Sequence, residues 1–218
     1  MRARGFTLIE MGVTLLVMAL MVSVAIPAFS VVTRAQLRSK SGELAGAIRA
    51  MYGHAAVSGR SCRMVLDLDG SAYWAECAKG VVRLSRDREQ AQNGAKVLSR
   101  EEENAQRLVE DAKGGRELSD KEKVRAELAA KNAFTPDNAG DVKKMTLGKN
   151  VRFADVWVQH QAERYTSGKA FLYFWPTGLT EAAGIRLAQV DDIYSLIVAP
   201  LTGRVHISSE RVEAPGEK

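Results

Sequence analysis

The chain has 218 residues, enough for a single-domain core beyond a membrane-directed first segment. Its 31 Lys and Arg stand against 26 Asp and Glu, a formal net charge of +5 that is too small and too dispersed for a nucleic-acid arm. His54, His160 and His206 stand far apart, and no phosphate loop, nucleophile elbow or acid–base pair is visible, so neither an enzyme nor a metal or cofactor is expected.

The first element is a short basic leader with Arg2 and Arg4, then Gly5-Phe6-Thr7-Leu8-Ile9-Glu10, then 23 uncharged residues from Met11 to Thr33. As a helix those 23 positions extend about 34 Å, slightly more than a hydrocarbon core of about 30 Å, so the run predicts a membrane span. An ordinary secretory signal would have a shorter core and a cleavage site near Ser23, Ala25 or Ala28. Against that reading stands Glu10, because an acid at membrane depth is costly and calls for a cationic partner. Arg2 and Arg4 place the leader on the cytoplasmic side, an asymmetry that Arg34, Arg38 and Lys40 weaken from the far flank. Pro27 has no amide hydrogen for the carbonyl of Ser23, which predicts a kink or loosened turn. Small residues at Gly12, Ser23 and Ala25 would admit close neighbouring helices.

Gly5 to Glu10, with its leader and its apolar helix, resembles the type IV pilin and pseudopilin superfamily, whose consensus hexapeptide it matches throughout. The resemblance implies cleavage after Gly5 by an inner-membrane prepilin peptidase and methylation of the new amino terminus at Phe6. It also implies that Glu10 pairs with the terminal amine of a neighbouring subunit during filament assembly, which agrees with the tendency of opposite charges in a poorly hydrated site to meet. A cut after Gly5 removes two arginines and lowers the net charge from +5 to +3.

After the apolar segment, Leu37, Leu44, Ile48, Met51, Tyr52 and Ala55 recur at helical spacing, so residues 34–58 are expected to continue the helix with one core-facing stripe, stopping at Ser58-Gly59. Two alternating strands follow, Cys62 to Leu68 and Ser71 to Cys77, joined by Asp69-Gly70 as a two-residue type I′ turn. In that register Leu66 faces Tyr73, Met64 faces Ala75 and Cys62 faces Cys77, with Arg63 opposite Glu76 on the other surface. Export to an oxidising compartment makes a Cys62–Cys77 disulfide the expected state, two buried thiols being the alternative.

Residues 83–144 carry 14 basic and 13 acidic side chains and a single aromatic, Phe134. Ser99-x-x-Glu102 and Ser119-x-x-Glu122 read as capping boxes of short charged helices separated by Gly114-Gly115, in a solvated helical pair or mobile loop inserted into the domain. Strand signals resume at Val151 to Val158, Ala170 to Trp175, Ile185 to Val190, Tyr194 to Ala199 and Arg204 to Ile207. Turns are expected at Pro176-Thr177-Gly178, Asp191-Asp192 and Thr202-Gly203; the paired aspartates diverge too far to assemble the six or more oxygens of a calcium site. The fold class is therefore α+β: a long N-terminal helix packed against antiparallel sheet in a pilin-like arrangement. Its expected divisions are leader 1–5, membrane and filament-core helix 6–33, amphipathic continuation 34–58, and a β-rich domain over 59–218.

The block Phe174 to Thr180, with Ile185-Arg186-Leu187 and the hairpin from Tyr194 to Ile207, resembles the carboxyl part of the H-type minor pseudopilin of type II secretion systems, as does Val57 to Tyr73 around the helix stop. The insertion at 83–144 departs from that shorter pattern. The resemblance implies a single-pass protein of the bacterial inner membrane, its C-terminal domain in the periplasm, incorporated into the pseudopilus that exports folded proteins. Partners would be the prepilin peptidase, the major and other minor pseudopilins, the inner-membrane secretion platform and membrane lipid, with no nucleic acid. The alternative within the superfamily is a minor pilin of a type IV pilus or DNA-uptake filament, for which Arg204 and Arg211 are scattered candidates.

Overall fold

The computed structural model describes residues 8–80, 82, 103–104, 106–108, 110–111, 119–137 and 142–217, with backbone alone at 23–33, 128 and 129. A single helix, α1 (Leu8–Ser58), runs continuously through Pro27 for 51 residues. It stops where the sequence supplies a residue free to turn left-handed, Gly59 at φ +66°, which releases the chain toward β1. The expected span includes positions 23–33, whose side chains lie outside the description. Among the described residues no helix is long and apolar enough to cross a membrane.

The protein is α+β, with every strand pairing antiparallel. The first sheet is ordered β3-β2-β1-β6-β7, from strands β1 (Cys62–Asp67), β2 (Ala72–Cys77), β3 (Thr135–Pro136), β6 (Lys169–Trp175) and β7 (Leu179–Thr180); β4 (Met145–Thr146) also pairs β2. The second sheet is ordered β10-β9-β8-β5, from β5 (Arg152–Val158), β8 (Ala183–Gln189), β9 (Asp192–Val198) and β10 (Val205–Ser208). Alternation sends Cys62, Met64 and Leu66 of the first sheet inward, together with Ile185, Leu187, Leu196 and Val198 of the second. They meet the helical stripe of Leu37, Leu44, Ile48, Met51 and Ala55, all completely buried, in one core that requires the helix as its third wall.

The first hairpin has the register read from alternation: Cys62 opposite Cys77, Arg63 opposite Glu76, Met64 opposite Ala75, Leu66 opposite Tyr73. Its turn differs from the expected type I′. The strands close at Asp67 and Ala72, leaving residues 68–71 as the connection, and the positive φ belongs to Ser71 at 46° rather than to Asp69 or Gly70. The cause is local: Asp67 Oδ1 accepts from the Gly70 amide at 3.0 Å, so an aspartate side chain organises the turn and pushes the left-handed residue one position on.

The inserted segment also differs from a freely solvated pair at its C-terminal end. Helix α2 (Asp120–Asn132) begins with the expected capping box, the Ser119 amide donating to Glu122 at 2.9 Å and the Glu122 amide to Ser119 Oγ at 3.4 Å. The helix is largely exposed, but Phe134 just beyond it is buried against Tyr173, and the chain then pairs β2 through β3. The other expected box, Ser99 with Glu102, and the Gly114-Gly115 break lie outside the described residues.

Candidate functional site: the two halves of the long helix

Gly5 and Phe6 lie outside the described residues; Glu10 stands exposed in the first turn of α1. In the same turn Leu8 is 94 % exposed, and on the following turns Leu15 is 64 %, Leu16 62 %, Met18 66 % and Met21 71 % exposed. Positions 15, 16 and 18 point in different directions around a helix, so the apolar surface is all round rather than a stripe. In water such a surface is unfavourable by about 25 cal/mol per Å².

The second half of α1 is joined to the sheets by polar clasps. Arg34 Nε meets Asp192 Oδ1 at 3.2 Å, and Gln189 donates to Gln36 at 3.1 Å. Asp192 was expected in a turn with Asp191; the turn instead centres on Val190 (φ 54°) and Asp191, and Asp192 opens β9 opposite Gln189. Between the helix and β9 lies an open cleft of about 550 Å³ lined by Arg34, Arg38, Ser39 and Tyr194. Farther along, the Tyr52 hydroxyl donates to the carbonyl of Gly178 at 2.8 Å and approaches that of Leu201 at 3.2 Å, tying the helix to both expected Gly turns. Gly203, at φ +59°, lies against the Tyr52 ring so closely that a Cβ would fall 2.5 Å from Cγ.

Cys62 and Cys77 are joined in a disulfide across a 15-residue separation. The histidines, apart in sequence, do not all stand apart in space: His54 offers a ring nitrogen within 4.8 Å of both sulfurs. A signal for this was available, since His54 continues the stripe three residues after Met51. The cysteines, as a disulfide, are not thiolate ligands.

Of two buried side-chain pairs, one follows from the hairpin register and the other had no sequence signal. His160 Nδ1 lies 2.6 Å from Glu181 Oε2, and Glu181 also accepts from the amides of His160 and Tyr173, both at 3.2 Å. With both side chains almost wholly enclosed, this pair secures the β7–β8 approach to the loop after β5. On the outer face of the first sheet, Arg63 Nη2 meets Glu76 Oε2 at 2.8 Å as the register predicted. The guanidinium lies between the rings of Phe134 and Phe171, 4.4 Å from each centroid, and Trp74 Nε1 donates to Glu76 at 2.9 Å. Arg204 and Arg211 are both exposed.

The geometry defines an α+β protein whose long helix is exposed from Leu8 to Val22 and buried along one stripe from Leu37 to Ala55. No family model matches this chain, and neither a curated protein nor a solved structure matches it.

Proposed function

We propose that this chain is a pilin-like assembly protein, a minor pseudopilin of a type II secretion system. The carrying observation is the division of α1: apolar side chains bare on every side from Leu8 to Val22, and a stripe from Leu37 to Ala55 buried by two sheets. A helix with that division is anchored by its second half in a folded domain and offers its first half to lipid or to other helices. In this reading the segment 11–33 crosses the inner membrane before assembly and lines the pseudopilus core afterwards, with the β-domain in the periplasm.

Glu10 supports the assembly step. A lone carboxylate at the entrance of an apolar helix is stabilised by a cation brought to it, and cleavage after Gly5 creates one, the ammonium of Phe6 on a neighbouring subunit. Its presence also argues against the tip type of subunit, which lacks the acid.

Mass spectrometry of the mature chain tests the processing step. The expected terminus is N-methylated Phe6; an intact Met1, or a terminus near Ala28, overturns the reading. Glu10→Ala should leave cleavage intact while weakening cross-linking to filament subunits, and undiminished cross-linking would remove Glu10 from its pairing role.

A further inference from the structure

We propose that the cleft between α1 and β9 seats the headgroup of an anionic phospholipid, its phosphodiester held by Arg34 and Arg38 and its acyl chains descending along the uncharged run that ends at Thr33. Such a site rests on the reading of residues 11–33 as a membrane span, and adds to it a defined lipid contact on the β-domain side. Arg34 and Arg38 stand one helical turn apart on one side of α1, and Ala35, Ser39, Gly42 and Tyr194 complete the walls of the open space of about 550 Å³. At about 1.5 Å of rise per residue the two arginines leave the helix about 1.5 and 7.5 Å beyond Thr33, the last uncharged position. The polar layer on each side of a bilayer's hydrocarbon is about 5–7.5 Å thick, so both side chains fall at the level of lipid phosphate. A basic flank on the far side of a span runs against the usual positive-inside bias, and a lipid anion gives these two arginines a partner there.

The charges match a single phosphodiester. Asp192 takes both of its contacts with Arg34 from Nε, at 3.2 and 3.4 Å, which leaves the two terminal guanidinium nitrogens of Arg34 as donors. Arg38 is exposed and meets no carboxylate among the described residues, whereas Lys40, on another side of the helix, is paired with Glu43 at 2.7 Å. Among the groups that line the cleft or touch its walls, Arg34, Arg38 and Asp192 sum to one net positive charge, against the one negative charge of a lipid such as phosphatidylglycerol. Planar guanidinium forks suit phosphate oxygens, each fork reaching two at once. The half-buried Tyr194 ring supplies an amphipathic wall at the depth where such rings collect, and Ala35 and Gly42 leave room for the glycerol. A free phosphate would use the same donors, but neither the apolar wall nor the run below it.

The test reconstitutes the full chain from detergent into vesicles of phosphatidylcholine, alone or with a minority of phosphatidylglycerol, and reads the lipid retained on the extracted chain by native mass spectrometry. Phosphatidylglycerol should be enriched over its share of the vesicle. Arg38→Gln should lower that enrichment about fivefold, the equivalent of about 1 kcal/mol for one basic side chain at an anionic surface. Gly42→Leu keeps both arginines and fills the cleft: a Cβ at Gly42 meets nothing within 4 Å, and leucine is the better helix former, so the variant should fold and lose the enrichment. Enrichment undiminished in Gly42→Leu would mean diffuse attraction without a site and overturns the proposal, as does enrichment unchanged in Arg38→Gln. Inorganic phosphate that displaces the retained lipid mole for mole would make a free anion the occupant and overturns it equally. A wild-type chain that floats with both vesicles but retains lipid in the bulk ratio overturns the headgroup site and leaves the membrane span standing, whereas a chain that floats with neither overturns both.

Discussion

Replacing Arg63 with alanine should destabilise the protein by about 3 kcal/mol, while replacing Arg63 and Glu76 together with leucines should cost far less. The side chains are 9 % and 13 % exposed, so Arg63→Ala leaves a carboxylate poorly solvated, with Trp74 Nε1 still donating to it. Losing one partner of a buried pair costs about 3–5 kcal/mol, and the small residual exposure selects the lower end. The rings of Phe134 and Phe171 also lose the cation between them, a contact worth about 0.5–2 kcal/mol each in general and already partly counted in that figure. For a protein of this size, 3 kcal/mol corresponds to a fall in Tm of about 6–12 °C. The assay is a double-mutant cycle by urea unfolding, followed by tryptophan fluorescence and, for the insertion, by protease cleavage after α2. Arg63→Ala should speed that cleavage because Phe134 loses its anchor. A single mutant within about 0.5 kcal/mol of wild type, or a double mutant worse than either single, would refute the reasoning.

Burial of the Tyr73 hydroxyl, with the Glu43 charge adding to it, pushes its pKa up to about 12. Below about pH 10 both folded and unfolded chains keep the proton; above it the unfolded chain gives the proton up first, so stability should fall from about pH 10 to 12, and Tyr73→Phe should flatten that limb of the pH–stability curve. Gly203→Ala should cost about 2–4 kcal/mol in thermal unfolding, combining a left-handed alanine with displacement of the Tyr52 ring; Tyr52→Ala in the same background should recover part of the loss by removing the obstacle. Cys62→Ser/Cys77→Ser should lower stability by about 3 kcal/mol in urea titrations without reductant, the value for closing a loop of about 15 residues.

Much of the fold was legible because local rules agreed with the long-range ones. Alternation specified the Cys62–Cys77 rung and the pairs beneath it, since a slip of one residue would have turned Met64 and Leu66 away from the core to the outer face of the sheet. The helical stripe ending at Gly59 was legible for a similar reason, with period and stop signal coinciding. What escaped depended on contacts that no local pattern encodes. The β1–β2 turn followed a side-chain acceptor on Asp67 rather than the Asp69-Gly70 preference. Phe134 read as an isolated aromatic in a charged run, yet its destination was a guanidinium 71 positions away. The His160–Glu181 pair and the approach of His54 to the sulfurs likewise arise only when separate elements pack.

The continuity of α1 bears on how load would travel through the molecule. At about 1.5 Å per residue the 51 residues extend about 76 Å, and helical backbone is continuous from the bare end to the end clasped by Arg34, Gln36 and Tyr52. A pull along the axis near Leu8 therefore reaches the β-domain as shear on those clasps, with the Gly178 and Leu201 turns taking it at Tyr52. Domain and rod would advance or rotate as one body, and the weakest clasp, not a linker, would set the force at which they part.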